Sequence, residues 1–155
     1  MTEGEESTLN LVSRLLECDS DQLLAELAMR AKTIERDESK RDMLDPPISG
    51  PEVVVMGPGA LRALGERVLN RWNREAYQLM CGGEQADAKA RDDLARALGV
   101  GDAAASAALT TALLAIPGLP AALAPVLAVI FVKRFLAPAL DEFCQYWYKS
   151  LPQQK

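Results

Sequence analysis

The 155-residue chain contains no histidine, and only 5% of its residues are aromatic. Without histidine there is no Ser-His-Asp or Cys-His catalytic set, no HExxH zinc site, and no side chain of the type that most often carries protons at neutral pH. No other catalytic, metal-binding or cofactor-binding motif takes its place. We therefore predict a protein that is not an enzyme and that uses no metal or cofactor.

Cysteine is also scarce. The chain has three, Cys18, Cys81 and Cys144, which is an odd number, and they lie far apart in the sequence. This spacing favours neither a disulfide framework nor a CxxC metal or redox site. We therefore expect three reduced thiols, mostly buried. A weaker alternative is a reactive thiolate at Cys81, favoured by neighbouring arginines but opposed by a helix C-terminus and by the lack of a general base.

Basic residues are outnumbered, since 17 lysines and arginines stand against 22 aspartates and glutamates, for a formal net charge of -5. An acidic chain is a poor general nucleic-acid binder, because neutralising phosphates requires a basic surface. The acidic start MTEGEEST lacks the basic and apolar regions of a secretory signal. This favours a cytoplasmic protein, with peripheral or integral attachment at the inner face of a membrane as the alternative.

Charged residues are absent from residues 103–132. A Pro-Gly-Leu-Pro turn interrupts this stretch, because proline lacks an amide donor and glycine accepts turn geometry. The pattern predicts an apolar helical hairpin whose first helix begins after a capping Asp102 and ends at about Ile116. Its second helix begins near Pro120 or Pro125, since the first turn of a helix tolerates proline.

The hairpin has two interpretations. Each half is shorter than the roughly 20 apolar residues of a membrane-spanning helix, which favours burial in a protein core. The alternative is insertion into a bilayer, in which Lys133 and Arg134 limit how deeply the second helix enters. The candidate membrane residues of that alternative are the large apolar side chains of both helices: Leu113, Leu114, Ile116, Leu127, Ile130 and Phe131.

Residues 1–45 form an acidic arm in which helical spacing of apolar residues recurs twice. The first predicted helix covers residues 8 to about 18 and is capped by Ser7. The second runs from Gln22 to about Arg41, and the acidic residues before it cap its amides and favour its dipole.

Residues 46–59 are rich in proline and glycine and predict a linker with one extended piece at Val53–Met56. The glycines that follow this piece resemble part of a dinucleotide-binding turn. Arg62 occupies the third glycine position, however, and no second strand completes the unit. A helix initiated by proline explains the pattern better.

That helix is predicted over Ala60–Cys81 and ends at Gly82. Three arginines lie on one face of this helix: Arg67, Arg71 and Arg74. They are the candidate contact to an acidic partner, a phosphate or anionic headgroups, and Trp72 lies beside them. The alternative is a solvated face that Glu75 or the acidic arm partly neutralises.

A short charged helix is predicted over Glu84–Leu98, and the second hairpin helix is expected to continue towards the C-terminus with a kink at Pro138. The adjacent carboxylates Asp141 and Glu142 diverge on a helix and form no acid–base pair. The aromatic tail contributes Tyr146 and Trp147 as candidate contact residues for a partner or for membrane headgroups. Closure of the core is the alternative role of this tail.

We predict an all-α, compact helical domain built around the apolar hairpin, with the acidic arm at residues 1–45, the linker at 46–59 and the core domain at 60–155. The predicted function is a non-catalytic interaction or accessory protein that binds a protein partner or itself. The alternative is a small membrane-associated effector whose hairpin inserts into a bilayer. Neither a small-molecule substrate nor a nucleic acid is indicated.

Overall fold

The computed structural model describes residues 3–46, 57–82, 88–136 and 143–151. These residues form seven α-helices and no strand, which confirms the predicted all-α class. The helices are α1 (Glu3–Leu16), α2 (Ser20–Arg36), α3 (Pro58–Cys81), α4 (Ala88–Val100), α5 (Asp102–Leu113), α6 (Ala124–Phe131) and α7 (Phe143–Ser150). A 3₁₀ turn follows α2 at Glu38–Lys40, and a π-helical turn continues α6 at Val132–Leu136.

The two N-terminal helices pack on the rest of the chain. Helix α2 crosses α3 at Gly65, where an added Cβ atom would lie 2.2 Å from the carbonyl oxygen of Leu24. Helix α1 packs on α5 and α6, and Lys133 donates a 2.6 Å hydrogen bond to the carbonyl of Cys18 just beyond the end of α1. The buried residues of α1 and α2 belong to the same hydrophobic core as those of the hairpin.

The ends of the N-terminal helices follow local hydrogen bonding. Asp19 caps α2 as predicted, because its side chain accepts from the amide of Gln22 and the Gln22 side chain accepts from the amide of Asp19, both at 2.8 Å. Helix α2 ends at Arg36, earlier than expected, because Asp37 adopts an extended backbone and caps the following 3₁₀ turn. Helix α1 begins at Glu3, so Ser7 lies inside it and does not cap it.

The predicted hairpin corresponds to α5 and α6, with boundaries that differ from expectation. Gly101 is the N-cap of α5 and has no side chain to form a capping hydrogen bond, and Asp102 is a first-turn residue. Helix α5 ends at Leu113, and Gly118 takes the turn at a φ of 83°, a conformation that glycine adopts without strain. Helix α6 begins at Ala124 with Pro125 in its first turn.

The second helix of the hairpin lies in the protein core, and the first is buried on one side. Every residue of α6 is buried, and so are Leu113 and Ile116, whereas Leu114 is 44% exposed. Of the candidate membrane residues, five are therefore covered by protein in this fold: Leu113, Ile116, Leu127, Ile130 and Phe131. Within the described ranges, no helix has both the length and the apolar character needed to cross a membrane.

Buried Arg30 fixes the hairpin turn to the N-terminal helices. Its guanidinium donates to the carbonyl oxygens of Leu44 at 2.6 Å and Ala122 at 2.9 Å, and to carboxylate oxygens of Glu26 at 2.9 Å and Asp45 at 2.8 Å. Planar guanidinium suits this arrangement because it presents several donors in fixed directions. The loop after α2 and the residues before α6 are thereby held together.

The other predicted boundaries are met in part. Helix α3 starts with Pro58 in its first turn and ends at Cys81, close to the predicted bounds. Helix α4 runs to Val100, so Gly99 lies inside it and does not end it. The extended piece at Val53–Met56, the start of the charged helix at residues 84–87, the Pro138 kink, and Asp141 with Glu142 lie outside the described residues.

Candidate interaction surface

Cys81 and Cys144 form a disulfide that joins the end of α3 to the start of α7. The expectation of three reduced thiols is therefore wrong. The fold brings the two Cα atoms to 5.6 Å across a sequence separation of 63 residues, and spacing along the chain gives no sign of this approach. Cys18 is the free cysteine, and Cys81 offers no thiolate in the disulfide-bonded form.

Helix α7 is fixed a second time by Trp147, which is fully buried. Its indole Nε1 donates a 2.6 Å hydrogen bond to Oδ1 of Asn73 on α3, and Asn73 is itself buried. The expectation that Trp147 contacts a partner is wrong for this fold. The Trp147 side chain instead closes the core, which is the alternative role predicted for the aromatic tail. Its one polar atom, Nε1, has a hydrogen-bond partner inside the core.

A row of aromatic rings runs from the core to the surface through Trp147. Its indole lies 5.1 Å from Phe131, 5.7 Å from Phe135 and 5.9 Å from Tyr77, measured between ring centroids. Tyr77 in turn lies 5.8 Å from Tyr148, at an interplanar angle of 48°. Tyr148 is 63% exposed, so the row ends in solvent.

The surface end of this row is a cleft between α3 and α7, the Tyr77–Tyr148 cleft. It has a volume of about 460 Å³ and is lined by Tyr77, Cys144, Gln145, Tyr148 and Lys149. Its α7 residues have the spacing i, i+1, i+4 and i+5, which places them on one side of the helix. The sequence prediction singled out Tyr146, which does not line the cleft although it is 46% exposed.

The arginine stripe lies on the face of α3 that points away from the core. Arg67 and Arg71 are exposed and Arg74 is half-buried, whereas Leu69, Ala76 and Met80 lie on the opposite, buried face. The stripe is partly neutralised, as the alternative interpretation expects, because Nη1 of Arg71 lies 2.8 Å from Oε1 of Glu75.

The ring of Trp72 lies under the guanidinium of Arg71, on the core side of the arginine stripe. It is only 8% exposed, so the expectation that it contacts a partner directly is wrong for this fold. The guanidinium carbon of Arg71 lies 4.3 Å from the centroid of the Trp72 ring, within range of a cation–π interaction. Trp72 and Glu75 together hold the Arg71 side chain in one position at the surface.

The arginine stripe and the cleft share helix α3. Tyr77 follows Arg71 by six positions, which corresponds to about 9 Å along the helix axis. We refer to Arg67, Arg71, Arg74, Tyr77, Tyr148 and Lys149 together as the Arg–Tyr surface. Sequence reasoning singled out its three arginines, whereas Tyr148 and Lys149 were not named as contact residues, because their position beside Tyr77 depends on how α7 packs on α3.

Three other clefts among the described residues lack this combination of aromatic rings and basic side chains. A cleft of about 440 Å³ between the starts of α2 and α3 contains Asp19, Asp21 and Arg62, and the last two form an ion pair at 3.4 Å. A groove of about 340 Å³ lies between α4 and the alanine-rich side of α5. No three cysteine, aspartate or glutamate side chains in the described residues are placed to hold a metal ion.

The chain as a whole matches no protein-family model, no curated protein and no solved structure.

Proposed function

We propose that this protein is a non-catalytic interaction protein that binds a protein partner through the Arg–Tyr surface. The observation that carries the proposal is the exposed Tyr148, which packs beside Tyr77 and Lys149 on a helix held at two points. Those two points are the Cys81–Cys144 disulfide and the buried hydrogen bond from Trp147 to Asn73.

Exposed tyrosine on a rigid support is typical of binding surfaces. Tyrosine contributes a large apolar area and a hydroxyl group, and it loses little conformational entropy on binding because it has two side-chain torsions. Because α7 is already fixed, a partner that docks on Tyr148 does not have to order the helix. Such aromatic side chains often account for most of the binding free energy of an interface.

The arginine stripe favours an acidic partner. Arg71 is positioned by Trp72 and Glu75, so its guanidinium is oriented before a partner arrives. The Arg71–Glu75 pair is exposed, and exposed ion pairs contribute little to stability. A carboxylate on the partner can therefore replace Glu75 at small cost.

The proposal is tested by the apparent mass of the protein in gently prepared extracts of its native host. We expect the wild-type chain to migrate well above its own 16.8 kDa, as part of a complex. The Tyr148→Ser variant should return to the monomer position, and the Tyr146→Ser variant should migrate like the wild type. Both replacements remove an exposed tyrosine from α7, but only Tyr148 lines the cleft.

Two results would contradict the proposal. The first is a wild-type chain that migrates as a monomer, and the second is a complex that Tyr148→Ser and Tyr146→Ser weaken equally. Light scattering of the purified protein separates self-association from a different partner, because only self-association raises the mass of the chain on its own. Recovery of the chain in the membrane pellet after a carbonate wash would favour the membrane-associated alternative instead.

A further inference from the structure

We infer that the Cys81–Cys144 disulfide is a thiol–disulfide exchange site that controls the Arg–Tyr surface, and that its co-substrate is a protein dithiol. This inference rests on the proposed function and adds a redox control to the same surface. It is carried by the order of the contacts between α3 and α7 and by the place of the disulfide among them.

The disulfide and the tyrosine pair are neighbouring contacts between the same two helices. Tyr77 precedes Cys81 by four residues on α3, and Tyr148 follows Cys144 by four residues on α7. On each helix the tyrosine and the cysteine therefore lie one turn apart on the same face. The disulfide is the covalent restraint next to the Tyr77–Tyr148 ring contact, whose centroids lie 5.8 Å apart.

The contact on the other side of the tyrosine pair is non-covalent and buried. Trp147 donates its hydrogen bond to Asn73, which lies one turn before Tyr77 on α3. The Trp147 ring also lies 5.1 Å from the ring of Phe131 in the core. This attachment contains no sulfur, so we expect it to keep α7 on the core when the disulfide is open.

The disulfide lies where a thiol can reach it. Cys81 and Cys144 are both partly exposed, and they pack against the hydrophobic core without lying inside it. Cys144 also lines the Tyr77–Tyr148 cleft, so a thiolate can approach it from the surface while the protein is folded. Exposed disulfides are the ones that exchange readily and serve in regulation, whereas typical structural disulfides resist reduction.

Oxidation of the dithiol balances the reduction of the chain. A thiolate of the dithiol attacks the sulfur of Cys144 and bonds to it, the Cys81–Cys144 bond breaks, and Cys81 leaves as a thiolate that takes a proton from water. The second thiol then attacks the dithiol's own sulfur in this mixed disulfide and releases Cys144, which is protonated in turn. The chain has gained two electrons and two protons, and the dithiol has become a disulfide.

Opening the disulfide removes one of the two restraints that flank the tyrosine pair. The reduced chain keeps Trp147 in the core, whereas Tyr148 and Lys149 lose their fixed positions beside Tyr77. A partner must then order these side chains when it binds, which costs free energy and weakens the complex.

The first test asks whether the folded protein exchanges. Oxidised full-length protein is incubated with a thioredoxin and a small amount of dithiothreitol, below the melting temperature of the reduced chain, and free thiols are counted by alkylation in denaturant. We expect the count to rise from one to three per chain with unchanged helical circular dichroism, and to rise more slowly with the dithiothreitol alone. A thioredoxin that lacks its second cysteine should be trapped on Cys144.

Four results of this test would overturn the inference. The disulfide opens only in denaturant, its reduction unfolds the helices, the thioredoxin gives no acceleration, or the trapped thioredoxin is bonded to Cys81.

The second test asks whether the disulfide controls the surface. In native host extracts, dithiothreitol should move the wild-type chain from its complex to the monomer position, and reoxidation should restore the complex. Cys18→Ser is the matched control and should respond as the wild type does, because Cys18 is outside the disulfide. The double variant Cys81→Ser, Cys144→Ser should stay at the monomer position under both conditions.

The variants separate failure of this inference from failure of the proposed function. If the complexes depend on Tyr148 but the double variant forms them fully, the redox control is wrong and the proposed function stands. If Tyr148→Ser leaves the complexes intact, the proposed function is wrong and the redox control falls with it.

Discussion

The indole Nε1 of Trp147 donates a hydrogen bond to Oδ1 of Asn73, and both side chains are buried. This contact joins the last described helix to the longest one, and the Trp147 ring lies 5.9 Å from the ring of Tyr77, which lines the cleft. A buried N–H group without an acceptor costs about 1–3 kcal/mol, so the contact fixes both the position and the orientation of α7.

Replacing Asn73 with alanine should therefore lower the free energy of unfolding by about 1–3 kcal/mol, because the Trp147 N–H loses its buried acceptor. Denaturant unfolding followed by tryptophan fluorescence measures this change. Asn70→Ala is the matched control, since Asn70 is an exposed asparagine on the same helix. Equal effects from the two variants would mean that the buried hydrogen bond contributes nothing specific.

Breaking the Cys81–Cys144 disulfide should destabilise the fold. The bond closes a loop with a sequence separation of 63 residues. In the chain-entropy model, closing a loop of that length stabilises a protein by about 4 kcal/mol. Dithiothreitol should therefore lower the melting temperature of the wild type, and Cys144→Ser should melt low with or without the reductant.

Cys18→Ser provides the control for this prediction, because Cys18 is outside the disulfide. It should respond to the reductant as the wild type does. Thiol titration in denaturant gives an independent check, with one free thiol expected per oxidised chain and three after reduction. If titration finds three free thiols per chain in protein purified without reductant, the disulfide is contradicted.

Gly65 permits the close crossing of α2 and α3, since an added Cβ would clash with the backbone of Leu24. Gly65→Ala should destabilise the protein by about 1–3 kcal/mol, the usual cost of overpacking, because backbone atoms move less easily than side chains. Gly99→Ala is the control inside α4, where nothing lies within 4 Å of the added atom. Alanine at that position should leave the free energy of unfolding unchanged or raise it slightly, because Gly99 is the last residue but one of α4.

Arg30→Lys tests the buried guanidinium that holds the hairpin turn. Lysine keeps the charge but cannot reach all four acceptors, so we expect a loss of about 1–3 kcal/mol in thermal or denaturant unfolding. Arg91→Lys is the comparison at an exposed position on α4 and should change stability little. A loss at Arg30 no larger than at Arg91 would show that its four hydrogen bonds do not stabilise the fold.

The sequence predicts the helical class and most helix positions because apolar spacing and proline or glycine breaks are local signals. The cap before α2, which Asp19 provides, and the proline-initiated start of α3 are confirmed for that reason. Boundaries that depend on a choice between neighbouring residues were placed less well. Asp102, for example, was expected to cap α5, and Gly101 takes that place.

The long-range contacts of the site could not be predicted from one sequence. Trp147 follows the apolar spacing of Phe143 and Leu151 and is buried, whereas Tyr146 does not and is 46% exposed, but that spacing gives no sign that the Trp147 indole bonds to Asn73 on α3. The Cys81–Cys144 pair depends on the same packing. The arginine stripe could be found because it lies on one helix and follows helical spacing.

Photocrosslinking in native host cells tests the central claim most directly. A photoreactive phenylalanine derivative is placed in turn at Tyr148, at Tyr146 and at Leu114, three exposed positions of which only Tyr148 lines the cleft. Binding through the Tyr77–Tyr148 cleft predicts a discrete protein adduct at position 148 and none at 146 or 114. Adducts to lipid at position 114, with no protein adduct at 148, would contradict it.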